Sequence, residues 1–239
     1  MDWQFSIITE YAPFFLKGLL LTLLISIIAI LCGTILGLAV GLGRMSINRW
    51  VRLPFIWYIN FFRGTPLLVQ LLIIHFGVMP LFMGPANGVV SATVGLSLNA
   101  AAYIAEIFRA GIQSIDKGQT EAARSLGMTH AETMRHIIIP QAFKRMIPPL
   151  GNEFIVLLKE SSLASVLAAP ELLYWGKAAV AQYYRVWEPY ITVALIYLVL
   201  TLSLTYLLNY LEKRLDTNDK SKTTKKELRN AGSIERNFH

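Results

Sequence analysis

Two stretches of this chain carry no charged side chain: Gly18 to Leu42 and Pro189 to Leu211. Each exceeds the roughly 20 apolar residues that take a helix across a bilayer. On an insertion scale each central Leu or Ile contributes about −0.5 kcal/mol, so both runs favour lipid. The rest of the chain agrees. It is 54% hydrophobic and 15% charged, whereas a soluble domain carries about 25% charge. The class that follows is an all-α membrane protein.

Hydropathy outlines five transmembrane helices, at about 16–42, 55–78, 88–109, 150–170 and 189–211. The second contains Arg63 and Pro66, which break it and predict a kink. The third is rich in Gly, Ala and Ser, the small residues that let helices approach closely in lipid, and belongs inside a bundle. The fourth holds Glu153, Lys159 and Glu160, so it should be shielded by other helices or line a wet cavity. The segment 1–15 carries Asp2 and Glu10 in place of a basic n-region. It reads as an amphipathic extracytoplasmic lead-in to the first span, not a cleaved signal.

Orientation follows from the basic residues. Arg44, Arg49 and Arg52 follow the first span, Lys117, Arg124, Arg135, Lys144 and Arg145 follow the third, and the tail is strongly basic. The loop after the second span has no basic residue. An N-terminus outside and a C-terminus in the cytoplasm satisfies this asymmetry. The net charge of +7, concentrated beside a span, fits anionic headgroups and not nucleic acid. The tail at 216–239 is expected to be disordered. Cys32 is the single cysteine, so no disulfide framework or Cys pair for a metal exists within the chain, and the histidines are too scattered for a metal site. Trp3, Trp57, Tyr183, Tyr184 and Trp187 sit near span ends as interfacial anchors.

Between the third and fourth spans lies a polar segment, about 111–149. Asp116 with Gln119 makes a capping-box-like start. Gly127 suits the left-handed position that ends a helix. Thr129 with Glu132 forms a second capping box, and the helix it opens should run through Ile139 until Pro140 interrupts it. Two short helices meeting at a glycine are predicted, at the cytoplasmic membrane surface.

The stretch "EAARSLGMTHAETMRHIIIPQAF" resembles the EAA loop of bacterial ABC-importer permeases, with Glu121, Ala122, Ala123, Gly127, Ile137 and Pro140 at that family's spacing. The family usually has Leu before the proline, where this chain has Ile139. The resemblance continues in "FFRGTPLLVQ", "AAYIAEIFRAGIQSIDKGQ" and "PPLGNEFIVLLKESSL", and covers nearly the whole chain to about Leu215. Together these motifs look like the polar amino-acid branch, and imply a type I ABC importer permease architecture over 16–215. The resemblance makes the segment around Glu121, Ala122, Ala123, Arg124 and Gly127 a coupling helix that docks on a separate cytoplasmic ATPase. It also implies an extracytoplasmic solute-binding protein, a second permease subunit (identical or similar), and a place in the bacterial cell membrane as a multi-pass protein.

No G-x-x-x-x-G-K-[ST] phosphate loop occurs. The chain is therefore expected to be no enzyme and to hold no cofactor, with ATP and magnesium bound by the partner ATPase pair. A zwitterionic substrate needs polar partners at mid-membrane. Glu153 is the first candidate as an ionisable residue within a span, followed by Gln70, Asn99, Tyr103 and Asn152 as neutral hydrogen-bonding groups. Glutamine, arginine, histidine and cystine are the open substrates. Arg63, Pro66, Lys159, Glu160 and Pro140 are assigned gating or structural roles. Two rival readings are weaker. An intramembrane serine protease using Ser97 lacks a histidine base in the last two spans. An ion-driven secondary transporter or channel should show internal repeats, and none is convincing.

Overall fold

The computed structural model describes residues 3–235, and these are helical, with no strand among them. The chain opens with α1 (Ser6–Arg44) and α2 (Arg49–Gly64). Next come α3 (Leu67–Leu72), a wide π-helical turn (Ile73–Val78) and α4 (Met79–Met83). After α5 (Gly88–Gln113) come α6 (Lys117–Ser125), the one-turn α7 (His130–Thr133) and a second π turn (Met134–Ile138). The chain closes with α8 (Ile139–Glu160), a 3₁₀ turn (Ser161–Leu167), α9 (Leu172–Tyr183) and α10 (Trp187–Glu235).

Three of these are long and apolar enough to cross a membrane, namely α1, α5 and the Trp187–Arg214 part of α10. A fourth crossing is available if Arg49–Gly64 and Leu67–Met83, bent at 111° to one another, count as one broken span. The break falls at the Arg63–Pro66 position that the sequence marks. Thr65 turns extended and Pro66 caps α3. The expected fourth span is not one helix. It divides between α8 and the 3₁₀ turn, which ends at Ala168 in a left-handed conformation.

Helix α5 lies at the centre and packs along α1 through a seam of small residues. Gly33, Gly37 and Gly41 are buried on one face of α1. A Cβ added at Gly33 would meet the Ala100 Cβ at 2.9 Å, and one at Gly37 would meet the Ala101 carbonyl at 2.9 Å. Only residues without side chains permit that approach, and in lipid such close packing is a main source of helix association. Around the seam, Ile25, Ala29, Leu71, Leu96, Ala100, Ile104 and Leu157 form the main core. A second cluster joins the start of α1 to α9 and α10 through Tyr11, Phe15, Leu172, Ala179 and Val193.

One expectation needs correction. Pro140 does not end a helix. The widened turn at Met134–Ile138 precedes it, and α8 begins there with the proline in its first positions. A proline ring clashes with the carbonyl four residues earlier and cannot donate to it; a π turn moves that carbonyl aside. Side chains occupy carbonyls near the turn: Gln141 donates to Ile137 O at 3.0 Å, and His136 Nδ1 sits 3.1 Å from Glu132 O. The last helix continues through the tail to Glu235. The end of that tail, 236–239, lies outside the described residues, as do positions 1–2 of the lead-in.

Candidate functional site

The polar segment after α5 folds as a capped elbow. Asp116 accepts from Gly118 N at 2.7 Å and opens α6. Gln119 does not close the box; its carbonyl oxygen lies 3.4 Å from Gln141 Nε2 instead. At the other end Gly127 adopts φ +83°. Gly127 N donates to Arg124 O at 3.0 Å and Met128 N to Ala123 O at 3.1 Å, the paired bonds of a Schellman cap. Thr129 and Glu132 then form the reciprocal capping box that restarts the helix.

The Thr129 backbone N–H and hydroxyl both donate to the Glu132 carboxylate and hold it below the usual carboxylate range. A group depressed in the folded state contributes its stability above the unfolded pKa and loses it as pH falls through the native value. The box should therefore stay closed from neutral pH to below the ordinary carboxylate range. Amide exchange at residues 130–133 during acid titration checks this; opening already at pH about 6 would contradict it.

The elbow is tied to the bundle at its base. Ile115, Ile138, Ala142 and Met146 form a buried cluster with side chains from α5. Arg145 on α8 donates to the Ser114 carbonyl and, at 3.3 Å, to the Ser114 hydroxyl. The expected docking residues separate by exposure. Glu121, Ala122, Arg124 and Gly127 are exposed, whereas Ala123 is buried. Leu126, which sequence reasoning missed, is 83% exposed at the tip. The signal was present: a leucine directly before a capping glycine lies at a helix end.

The expected substrate residues also divide. Gln70 and Asn99 are buried and occupied with protein groups. Gln70 Nε2 donates to Phe62 O at 2.8 Å and Thr65 O at 3.0 Å, and Asn99 Nδ2 donates to Gln70 Oε1 at 2.9 Å. They satisfy carbonyls that the break after α2 leaves without helical partners. Asn152 is exposed and faces α10, lining a groove with Lys159, Thr201, Thr205, Asn209 and Glu212. Its neighbour Glu153 lies about 100° further round α8. Glu153 is half-buried and has no hydrogen-bond or ion-pair partner among the described residues. Tyr103 is partly exposed, with the Arg63 guanidinium 5.3 Å above its ring centre. One turn further along α5, Glu106 pairs with Arg44 and Arg109, and with Arg63 at 3.7 Å. The structure thus sets Arg63 over Tyr103, occupies Gln70 and Asn99 with protein groups, and turns Asn152 toward α10.

Two features fall outside the sequence-based expectations. Glu171 is fully buried and caps α9. His75, in the first π turn, lies 2.8 Å from the buried Ser91 hydroxyl and fastens that turn to α5. Ser97, the nucleophile of the protease reading, is buried and donates to Thr93 O at 2.7 Å.

Residues 29–217 match the family model for the binding-protein-dependent transport system inner membrane component. The chain belongs to that family. Among the permease's relatives is the arginine transport system permease protein ArtQ of Bacillus subtilis, 42% identical over 223 residues, 92% of this chain and all of that one. The glutamine transport system permease protein GlnP of Escherichia coli is 36% identical over 90% of this chain and 99% of its own. A solved amino acid ABC transporter with histidines matches at 46% identity and a TM-score of 0.85, over 90% of this permease and all of that chain. The MetNI methionine transporter, at 21% identity and a TM-score of 0.75, shares the fold.

Proposed function

We infer that this permease forms, with a second permease subunit, the translocation pathway of an ATP-binding-cassette importer for a polar amino acid. A separate cytoplasmic ATPase pair drives it, and an extracytoplasmic solute-binding protein delivers to it. The observation that carries this reading is the elbow at Lys117–Ile138. It is capped at both joints, exposed on the Glu121, Ala122, Arg124 and Leu126 face, and anchored to α5 and α8 at its base. Such a part transmits displacement, and the chain has no nucleotide loop of its own to generate it.

Five crossings with the N-terminus outside put the elbow and the basic tail in the cytoplasm, in keeping with the positive-inside rule. In this arrangement the fourth crossing is α8 with its 3₁₀ extension, shielded from lipid by α1, α5 and α10. Glu153 is the substrate-facing carboxylate. An unpaired acidic group there favours amino acids bearing a cationic or amide side chain over acidic ones, because a second carboxylate would be repelled in a low-dielectric site. The relatives' arginine and glutamine systems point the same way.

Reconstitution with a partner ATPase and a solute-binding protein, followed by a labelled panel of arginine, glutamine, histidine, cystine and glutamate, tests this reading. ATP-dependent uptake of one of the first four is expected. Glu153→Gln should lower it by about tenfold or more, the value of one charge-assisted hydrogen bond. Uptake that persists without the ATPase, or a Glu153→Gln variant with unchanged rate and preference, would refute it.

A further inference from the structure

We propose that the groove between α8 and α10 is a water-filled vestibule, open to the cytoplasm, through which the imported zwitterion leaves the membrane. This rests on the importer reading and its orientation, and adds the place of release.

Polar groups without partners lie side by side within the membrane segments. Asn152 and Lys159 on α8 and Thr201, Thr205, Asn209 and Glu212 on α10 line one groove of about 370 Å³. The side chains of Asn152, Lys159, Asn209 and Glu212 make no hydrogen bond or ion pair among the described residues, and the first three are exposed. The two threonines spend their hydroxyl protons on their own helix. Thr201 donates to Leu198 O at 3.1 Å and Thr205 to Thr201 O at 2.7 Å, which leaves both oxygens free to accept. An ammonium facing acyl chains at the centre of a span costs about 3 kcal/mol on an insertion scale, and each bare amide adds to that cost. Groups of this kind face a wet cavity instead.

The groove has a floor and two unlike ends. The helices touch at the floor, where a Cβ added to Gly151 would meet Leu208 Cδ2 at 2.5 Å. Its walls, Pro148 to Lys159 and Thr201 to Glu212, each run about 16 Å along a helix, roughly half the hydrocarbon thickness. At about 30 Å³ per water the space takes about a dozen, or one amino acid with part of its hydration shell. Lys159 and Thr201 mark the closed end. The same bearing on the outer half of α10 carries Tyr190, Ala194 and Tyr197, and Tyr197 is fastened to the buried Glu171. Glu212 lies at the mouth, near the end of the membrane-crossing part of α10 at Arg214. The opposite face of α10, with Leu195, Ile196, Val199 and Leu200, forms an apolar groove with α1. Polarity is thus confined to one face and to the half of the span next to the cytoplasm, as release requires. A cation at the closed end, a carboxylate at the mouth and neutral hydrogen-bonding groups between them suit a zwitterion, whose charges stay partnered until bulk water takes over.

Single added cysteines in the assembled permease–ATPase complex test the proposal, with the wild type and its Cys32 as the blank. Inside-out vesicles are treated with a membrane-impermeant methanethiosulfonate, anionic or cationic. Thr205→Cys and Asn209→Cys should react about tenfold faster or more than Leu195→Cys and Val199→Cys, because an apolar setting suppresses the attacking thiolate. Lys159→Gln should lower the anionic-to-cationic rate ratio at Thr205→Cys roughly fivefold, the effect of one charge about 8 Å away in water. Complex labelled in detergent and then reconstituted with a binding protein should take up substrate about tenfold more slowly or worse for Thr205→Cys, and at its unlabelled rate for Val199→Cys. Groove cysteines as slow as the apolar pair, or a disulfide between two copies of Asn209→Cys, would show the groove covered by protein and overturn the proposal. Rapid labelling that leaves uptake intact overturns it too, since the crevice is then wet but off the path. A rate ratio unmoved by Lys159→Gln overturns the assignment of the cationic pole. Ile47→Cys, in the fully exposed turn between α1 and α2, reports separately on the underlying reading. It should label from the cytoplasmic side, and labelling from the outer side alone sinks the orientation instead.

Discussion

Replacing Gly127 by proline should abolish coupled uptake while leaving the bundle folded. Gly127 holds φ +83° and donates to Arg124 O at 3.0 Å. Proline fixes φ near −65° and has no N–H, so both requirements of the joint fail together at a cost of about 3 kcal/mol or more. That is roughly two decades in the population of the intact elbow. Uptake by the reconstituted importer should fall to about a hundredth of wild type, with ATP hydrolysis no longer stimulated by loaded binding protein. Nothing lies within 4 Å of a Cβ built at this position, so the effect is one of backbone conformation and not of crowding. Gly127→Asn is the control, because asparagine visits the left-handed region with little strain, and it should keep most of the uptake. A cysteine at the exposed Ala122 should cross-link to the ATPase, whereas one at the buried Ala123 should not. Wild-type transport by Gly127→Pro would remove the elbow from the mechanism.

This elbow was legible in the sequence because each of its joints is local. Asp116, Gly127 and the Thr129–Glu132 pair are capping residues acting within three or four positions of themselves, and the structure uses each at a helix end. The charge-free runs gave α1 and α10 for a similar reason, since lipid asks only for length and apolarity. The break at Arg63–Pro66 was visible as a proline after a charged residue inside a span. What the sequence hid depends on contacts between distant elements. Gln70 and Asn99 look like free amides in a span, but the carbonyls that occupy them exist only because α2 stops at Gly64. Asn152 and Glu153 are neighbours in sequence, yet a helix turns them onto different faces, and which face meets α10 is decided by packing. Pro140 reads as a stop until a widened turn absorbs it. The Glu106 cluster takes its arginines from α1, α2 and α5, and no window of sequence shows that convergence.

Glu171→Ala should destabilise the permease more than other single truncations of a polar side chain outside the elbow. The Glu171 carboxylate caps α9 by accepting from Leu173 N at 2.9 Å and Tyr174 N at 2.7 Å, and it accepts from the Tyr197 hydroxyl on α10 at 3.0 Å. Thr22 on α1 completes the knot. Its hydroxyl lies 3.5 Å from the carboxylate and accepts from Leu172 N at 3.2 Å. Three helices therefore meet on one fully buried side chain. Truncation removes the cap, worth about 1 kcal/mol, and leaves the Tyr197 hydroxyl and α9 amides without partners, at about 1–3 kcal/mol for a buried group. The sum is about 3 kcal/mol, and the apparent Tm in detergent should drop by roughly 5–10 °C. Glu171→Gln keeps an acceptor for the amides and for Tyr197, so it should fall between the two. Tyr197→Phe alone should cost about 1 kcal/mol. Combined with Glu171→Ala it should add almost nothing, because the partner it loses is already gone. Full additivity of the two, or a Glu171→Ala variant that melts with the wild type, would show that α9 is held to α1 and α10 by the apolar contacts of Phe15, Leu172 and Val193 alone.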